Sequence, residues 1–356
     1  MKRSYKSVKA VAALLLIAPL LTACDPPMPP EALAALAEAS FTCVEGDVPA
    51  FFSEEVAEGA PFLAENLTMN CPGMSYTLVD QAQSQLVASS NSQAGPGDVA
   101  YASVPYAVES GVFVITSAAG ASALFSPATI QGIIDGSITS WNDPSILADN
   151  AGQAPLEGPL TFVPVTQLDA VAALKVWYKQ YAGKDLNADL DARASVSVAD
   201  YENLPEGSVA FVPGAVFTAL SNVAMVTPMP ANLLVDAEKY PFGATPDMMS
   251  IQTASSQWKV TKTETALTVA IDFTAKLVPP VGFDEAPAPY QIIYPVYLSL
   301  HGEDTLGARA TARYLLRQDS QGSLTLVASL PVTVRAEALA FVSKGLPTPT
   351  AAPATE

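Results

Sequence analysis

The stretch SPATIQGIIDGSITSWNDP (residues 126–144), followed after Asn150-Ala151-Gly152 by PLTFV (residues 159–163), decides how this chain reads. Ser126 offers a side-chain oxygen to cap a helix. Pro127 suits the first helical position, where its missing N–H would lack a helical partner in any case. Gly136 stops the run. Trp141 has a large apolar area to bury, and Asn142 or Asp143 can turn the chain through side-chain bonds to backbone. Leu160 to Val163 then reads as a short buried strand. A helix, a turn and a buried strand in that order point to an α/β architecture.

The same alternation extends in both directions. Met74 to Val79 is a strand, and Val112 to Thr116 is a β-branched apolar run of the kind buried on both faces. Asp169 to Tyr181 is a helix, with Val171, Leu174, Trp177, Tyr178 and Tyr181 recurring at three and four. Asp169 itself is read as its cap. Ser208 to Val212 and Val223 to Val226 are strands around a short helix. Thr245-Pro246-Asp247 repeats the cap-plus-proline start, Tyr290 to Leu300 is a long strand, and Gly307 to Arg317 is a helix. No internal repeat is visible.

Composition narrows the function. The chain has 356 residues, 50% hydrophobic and 15% charged, against about 25% charged in an average protein. It can bury a large core, and its length suggests two domains. A net charge of −18 argues against nucleic acid, which needs a basic face to displace counterions. One histidine and three cysteines are too few for a zinc site of Cys and His, and neither metal nor cofactor is expected. No enzyme is expected either. The one imidazole, His301, is read as a surface residue, and no G-x-S-x-G elbow or phosphate loop is present. The adjacent acids Glu54-Glu55, Asp284-Glu285 and Glu303-Asp304 are read as solvated faces.

Lys2, Arg3, Lys6 and Lys9 precede an apolar run from Ala10 to Leu21, too short to span a bilayer and suited to a signal peptide. It ends in Leu21-Thr22-Ala23-Cys24, which resembles the bacterial lipobox. Residues 1–23 are therefore expected to be removed and Cys24 to carry diacylglycerol and palmitate, anchoring the chain outside the cytoplasmic membrane. Removing the four leader cations takes the net charge from −18 to −22. Residues 24–37, with their prolines, are a stiff linker, and residues 346–356 read as a disordered tail. Cys43 and Cys71 are expected to form a disulfide in that oxidising compartment, the alternative being two buried thiols.

The 126–163 stretch resembles the phosphate-binding component of bacterial phosphate ABC transporters, through Gly136, Ile138, Trp141, Asn142, Asp143 and Pro144. Weaker likenesses lie at Gly97 to Ser103, Pro205 to Val212, and Tyr294 to Tyr297. The resemblance implies a two-lobed periplasmic-binding-protein-like α/β fold with hinge strands and a ligand cleft. One lobe would be residues 38–116 with 290–345, the other residues 117–289. It also implies an ABC permease as partner and inorganic phosphate, or another small solute, as ligand.

The anion site departs from the family's pattern. The family's arginine and Asp-Gly-Ser-Gly-Thr run would fall on Pro164 to Ala170, where Pro164 replaces the arginine and Asp169 a glycine. The aspartate of its Ala-Ser-Asp run corresponds to Val104 after Ser103, and its Gly/Ser-rich loop falls near Asp80 to Ser84. Polar candidates at matching places are Ser84, Ser103, Thr166 and Gln167. The expectation is an extracytoplasmic solute-binding lipoprotein with a degenerate phosphate site, better suited to a neutral or cationic ligand. The alternative is a lipid-anchored interaction or sensor protein reusing the scaffold.

Overall fold

A computed structural model describes residues 43–347, apart from 92–94, 118–119, 121, 153, 164–166, 188–189, 191–202, 222, 230–243, 281, 323 and 325–326. The signal segment, Cys24, the linker, Thr166 and residues 348–356 of the expected tail lie outside the described residues.

In chain order the elements are β1 (Gly46–Phe52), α1 (Glu54–Ala57), α2 (Ala60–Asn70), β2 (Met74–Leu78), a 3-10 turn (Gln81–Gln83), β3 (Leu86–Ser89) and β4 (Ala102–Thr116). Then come β5 (Ala123–Phe125), α3 (Pro127–Asp135), α4 (Pro144–Asp149), β6 (Thr161–Val163), α5 (Leu168–Ala182), β7 (Ser208–Pro213), α6 (Gly214–Ala219) and β8 (Val223–Pro228). The remainder is α7 (Met248–Ser255), β9 (Trp258–Lys262), β10 (Leu267–Ile271), β11 (Ile293–Leu300), α8 (Leu306–Leu315), α9 (Gln318–Gln321), β12 (Ala328–Ser329) and α10 (Val332–Val342).

One mixed sheet runs β2-β1-β3-β11-β4-β7-β6, with β12 and β8 also on β4 and β5 on β8. Strands β1, β2 and β3 are parallel, while β11 is antiparallel to both β3 and β4. Strand β4 organises the rest. Residues 102–110 pair with β11, and from Gly111 to Ile115 the partner is β7. Its burial explains its composition: from Val104 to Ile115 every residue is buried.

The quoted stretch folds as its residues dictate. Ser126 caps α3 by accepting from Thr129 N, Pro127 is its first residue, and Gly136 closes it in the left-handed conformation at φ 80°. Asp143 caps α4 by accepting from Ser145 N at 2.8 Å. Trp141 is fully buried, and its indole Nε1 donates to Gly207 O at 3.0 Å. Asp149 accepts from Ser126 N at 2.7 Å and Thr129 Oγ1 at 2.5 Å. Asn150 exchanges two 2.9 Å bonds with the backbone of Leu124, so the helix pair is pinned to β5. Cys43 and Cys71 form a disulfide, Cα–Cα 5.4 Å.

Four readings need correction. Gln167, not Asp169, caps α5: its Oε1 accepts from Ala170 N at 2.7 Å, which leaves Asp169 inside the first turn. Helix α7 begins at Met248 with Asp247 as cap, so Pro246 precedes the helix instead of opening it. His301 is buried at 5% exposure, because the backbone at Gly95 lies over its ring and Asp98 Oδ1 accepts from Nδ1 at 3.0 Å. Glu55, read with Glu54 as a solvated face, is half-buried and accepts internal bonds, whereas Asp304 is exposed and accepts from Arg309 Nε at 2.5 Å.

Candidate functional site

In a sheet of this kind the groups that can reach a ligand gather beyond the carboxyl ends of the parallel strands. Here β1, β3 and β4 end their shared stretch at Ser53, Ser90 and Glu109–Ser110. Ser53 Oγ donates to Glu55 Oε1 at 2.6 Å, and Ser90 N donates to the same oxygen at 2.7 Å. Two donors of the kind that would hold an anion are thus taken by a carboxylate of the chain itself. Gln167 reaches the same place from α5: its Nε2 donates to Ser90 Oγ at 3.1 Å. Asp169, half-buried, lies in the same first turn.

Glu109 forms the floor, at 1% exposure. Its Oε1 accepts from Ser110 N at 2.7 Å, and its Oε2 accepts from Ala215 N at 3.4 Å at the start of α6. Loss of water pushes its carboxyl up to about 8, and the charge of Glu55 adds to that rise; the N–H groups of Ser110, Ala215 and Gly214 oppose it. At neutral pH Glu109 is therefore mostly a neutral acid. Directly across the β4–β11 ladder stands Tyr294, 3% exposed, whose hydroxyl has no hydrogen-bond partner among the described residues. Burial raises its hydroxyl well above the usual range, and Glu109, Glu55 and Asp169 raise it further.

Of the four sequence-derived candidates, Gln167 joins this cluster and Thr166 lies outside the described residues. Ser84 is buried and donates to Gln81 O at 2.7 Å, closing the 3-10 turn. Ser103 bonds Ser299 Oγ at 2.8 Å near the start of β4. Each is six residues before its strand's contribution to the cluster, roughly 20 Å along an extended chain, so both sit at the other end of the sheet. Val104, read in place of the family's aspartate, is buried at that same end.

Sequence reasoning missed Glu55, Glu109 and Tyr294. The available signal was a lone acid, Glu109, inside an otherwise apolar strand, since an acid buried in such a run needs a local reason. Among the described residues no group of three or more His, Cys, Asp or Glu could hold a metal ion, and no helix is long and apolar enough to cross a membrane.

No family model matches the chain, and neither does any curated protein. Among solved structures it is similar to a putative phosphate ABC transporter substrate-binding protein with bound phosphate from Clostridium perfringens. That likeness has 13% identity and a TM-score of 0.44, over 80% of this chain and 100% of that one. An ABC-type phosphate transport receptor from Vibrio cholerae is similar at 13% identity and TM-score 0.41, over 78% of this chain and 96% of that one. PstS from Borrelia burgdorferi is similar at 10% identity and TM-score 0.42, over 81% and 100%.

Proposed function

We propose that this chain is an extracytoplasmic solute-binding lipoprotein of the phosphate-transporter type whose cleft no longer takes phosphate in the family's way. The carrying observation is Glu55, whose carboxylate occupies the Ser53 hydroxyl and the Ser90 amide. A phosphate would have to displace that carboxylate and then lie beside it. At close range and an effective dielectric near 20, such a like-charge contact costs a few kcal/mol. That is a large part of the roughly 8 kcal/mol behind a micromolar site.

The reading includes lipidation at Cys24, a permease partner, and two lobes, residues 38–116 with 290–345 and residues 117–289. The change of partners along β4 at Ser110–Gly111 supports that division. Titration calorimetry of residues 38–346 with inorganic phosphate at neutral pH tests the reading, with no heat and no thermal shift expected at millimolar phosphate. A micromolar site would add about 4 kcal/mol under those conditions, so binding in that range refutes the degenerate-site reading. Glu55→Ala then shows whether freeing the two donors restores anion binding.

A further inference from the structure

We propose that the cluster beyond β1, β3 and β4 binds a small organic cation carrying a protonated amine. The inference rests on the solute-binding reading and narrows it to one ligand class. Its starting point is Tyr294, a buried side chain whose hydroxyl has no partner among the described residues, a state few buried polar groups hold. In the β11–β4 register it faces Glu109, and directly opposed residues of this kind stand about 5 Å apart at Cβ. Its hydroxyl lies in the field of Glu109, Glu55 and Asp169. A buried hydroxyl with no partner among the described residues, set among carboxyl groups, suits a ligand that brings its own donors.

Charge decides which ligand. Glu55 accepts two hydrogen bonds on Oε1, and its Oε2 has no hydrogen bond among the described residues. Asp169 adds a second carboxylate at the mouth of α5, half-exposed like Glu55. The floor is closed by Glu109, Tyr294 and Ser90, which are buried. An anion meets repulsion from both rim groups. A bare metal ion would need several carboxyl oxygens converging on one point, and no such group occurs among the described residues. An ammonium group with a carbon body can instead span separated acceptors, donating to a rim carboxylate and the Tyr294 hydroxyl. The net charge of −18 draws cations toward the surface as a whole.

The full chain in detergent is screened by thermal shift and calorimetry against ethanolamine and putrescine, with inorganic phosphate and glucose as the other classes. Binding of one of the amines and none of phosphate is expected. Asp169→Asn and Glu55→Gln should then each weaken that amine about tenfold or more. Tyr294→Phe separates a ligand contact from a structural role. It should weaken binding several-fold while leaving the melting temperature unchanged or higher, because the hydroxyl it removes has no hydrogen-bond partner among the described residues. A Tyr294→Phe chain that melts lower with unaltered amine affinity overturns the proposal. Binding of glucose but no amine also overturns it and leaves the solute-binding reading standing. Phosphate binding overturns both the cation inference and the degenerate-site reading. Silence toward all three classes overturns the inference together with solute binding itself.

Discussion

The buried carboxyl of Glu109 makes a pH-dependent demand on the fold that a single substitution can remove. In the folded chain its titration is pushed from an ordinary 4.5 up to about 8. A group raised in this way favours the folded state fully below its unfolded value, and that contribution is lost as pH climbs through the folded value. Between those limits the unfolded chain binds about one proton fewer, so stability falls by about 1.4 kcal/mol per pH unit. Integrated from pH 5 to pH 8, Glu109 alone removes about 3 to 4 kcal/mol. Glu109→Gln has nothing to titrate. It also turns an amide N–H toward Ala215 N or Ser110 N, a mismatch that costs about 1 to 3 kcal/mol at every pH. Urea unfolding of both chains at pH 5 and pH 8 isolates the effect, because all other titrating groups cancel in the difference. The variant should be the less stable chain at pH 5 and should gain about 3 to 4 kcal/mol on the wild type by pH 8. Parallel stability curves would refute the reasoning, since they would mean that Glu109 titrates alike folded and unfolded.

Three other outcomes follow from single contacts. Gly111→Ala would drive its Cβ into the Phe211 ring, which is already packed on Phe113 at 4.7 Å; a loss of about 1 to 3 kcal/mol in denaturant melts is expected. Trp141→Phe leaves the carbonyl of Gly207 without the indole donor at 3.0 Å. About 1 to 3 kcal/mol should be lost for that buried acceptor, read as a lower unfolding midpoint by circular dichroism. Replacing Cys43 and Cys71 together by serine opens a loop with a sequence separation of 28. It should lower stability by about 3 to 4 kcal/mol, and a reductant should then have no further effect on the melting temperature.

Much of the scaffold is legible in the sequence because its signals are local. Ser126, Pro127 and Gly136 fix α3 by capping chemistry alone, and Trp141 announces its burial by size. The α5 cap shows the limit of such reading. Gln167 and Asp169 both carry side-chain acceptors near the helix start, and the choice depends on how the chain arrives from β6. The hairpin of β9 and β10 is a signal left unread: Trp258 and Val260, then Leu267, Val269 and Ile271, are the more buried positions and alternate with exposed residues, the period-two pattern of a half-buried strand. The site was the least legible part. Ser103 and Ser84 have the right chemistry at the wrong ends of their strands, and strand direction is a tertiary fact. Tyr294 and Glu109 are 185 residues apart in sequence and become neighbours only through the β11–β4 register.

The disulfide between Cys43 and Cys71 has a mechanical side. Cys43 lies just ahead of β1, which is flanked by β2 and β3, and Cys71 follows the last turn of α2, just ahead of β2. Tension arriving along the chain ahead of Cys43 would otherwise peel β1 away one hydrogen bond at a time, the weakest way to take a sheet apart. The sulfur bridge diverts part of that pull into the segment that opens β2, so neighbouring parallel strands are drawn from the same end together. Their ladder, from Gly46–Met74 to Ala50–Leu78, is then not unzipped between them. With the bridge reduced, β1 bears the pull alone, and the sheet should yield at a lower force.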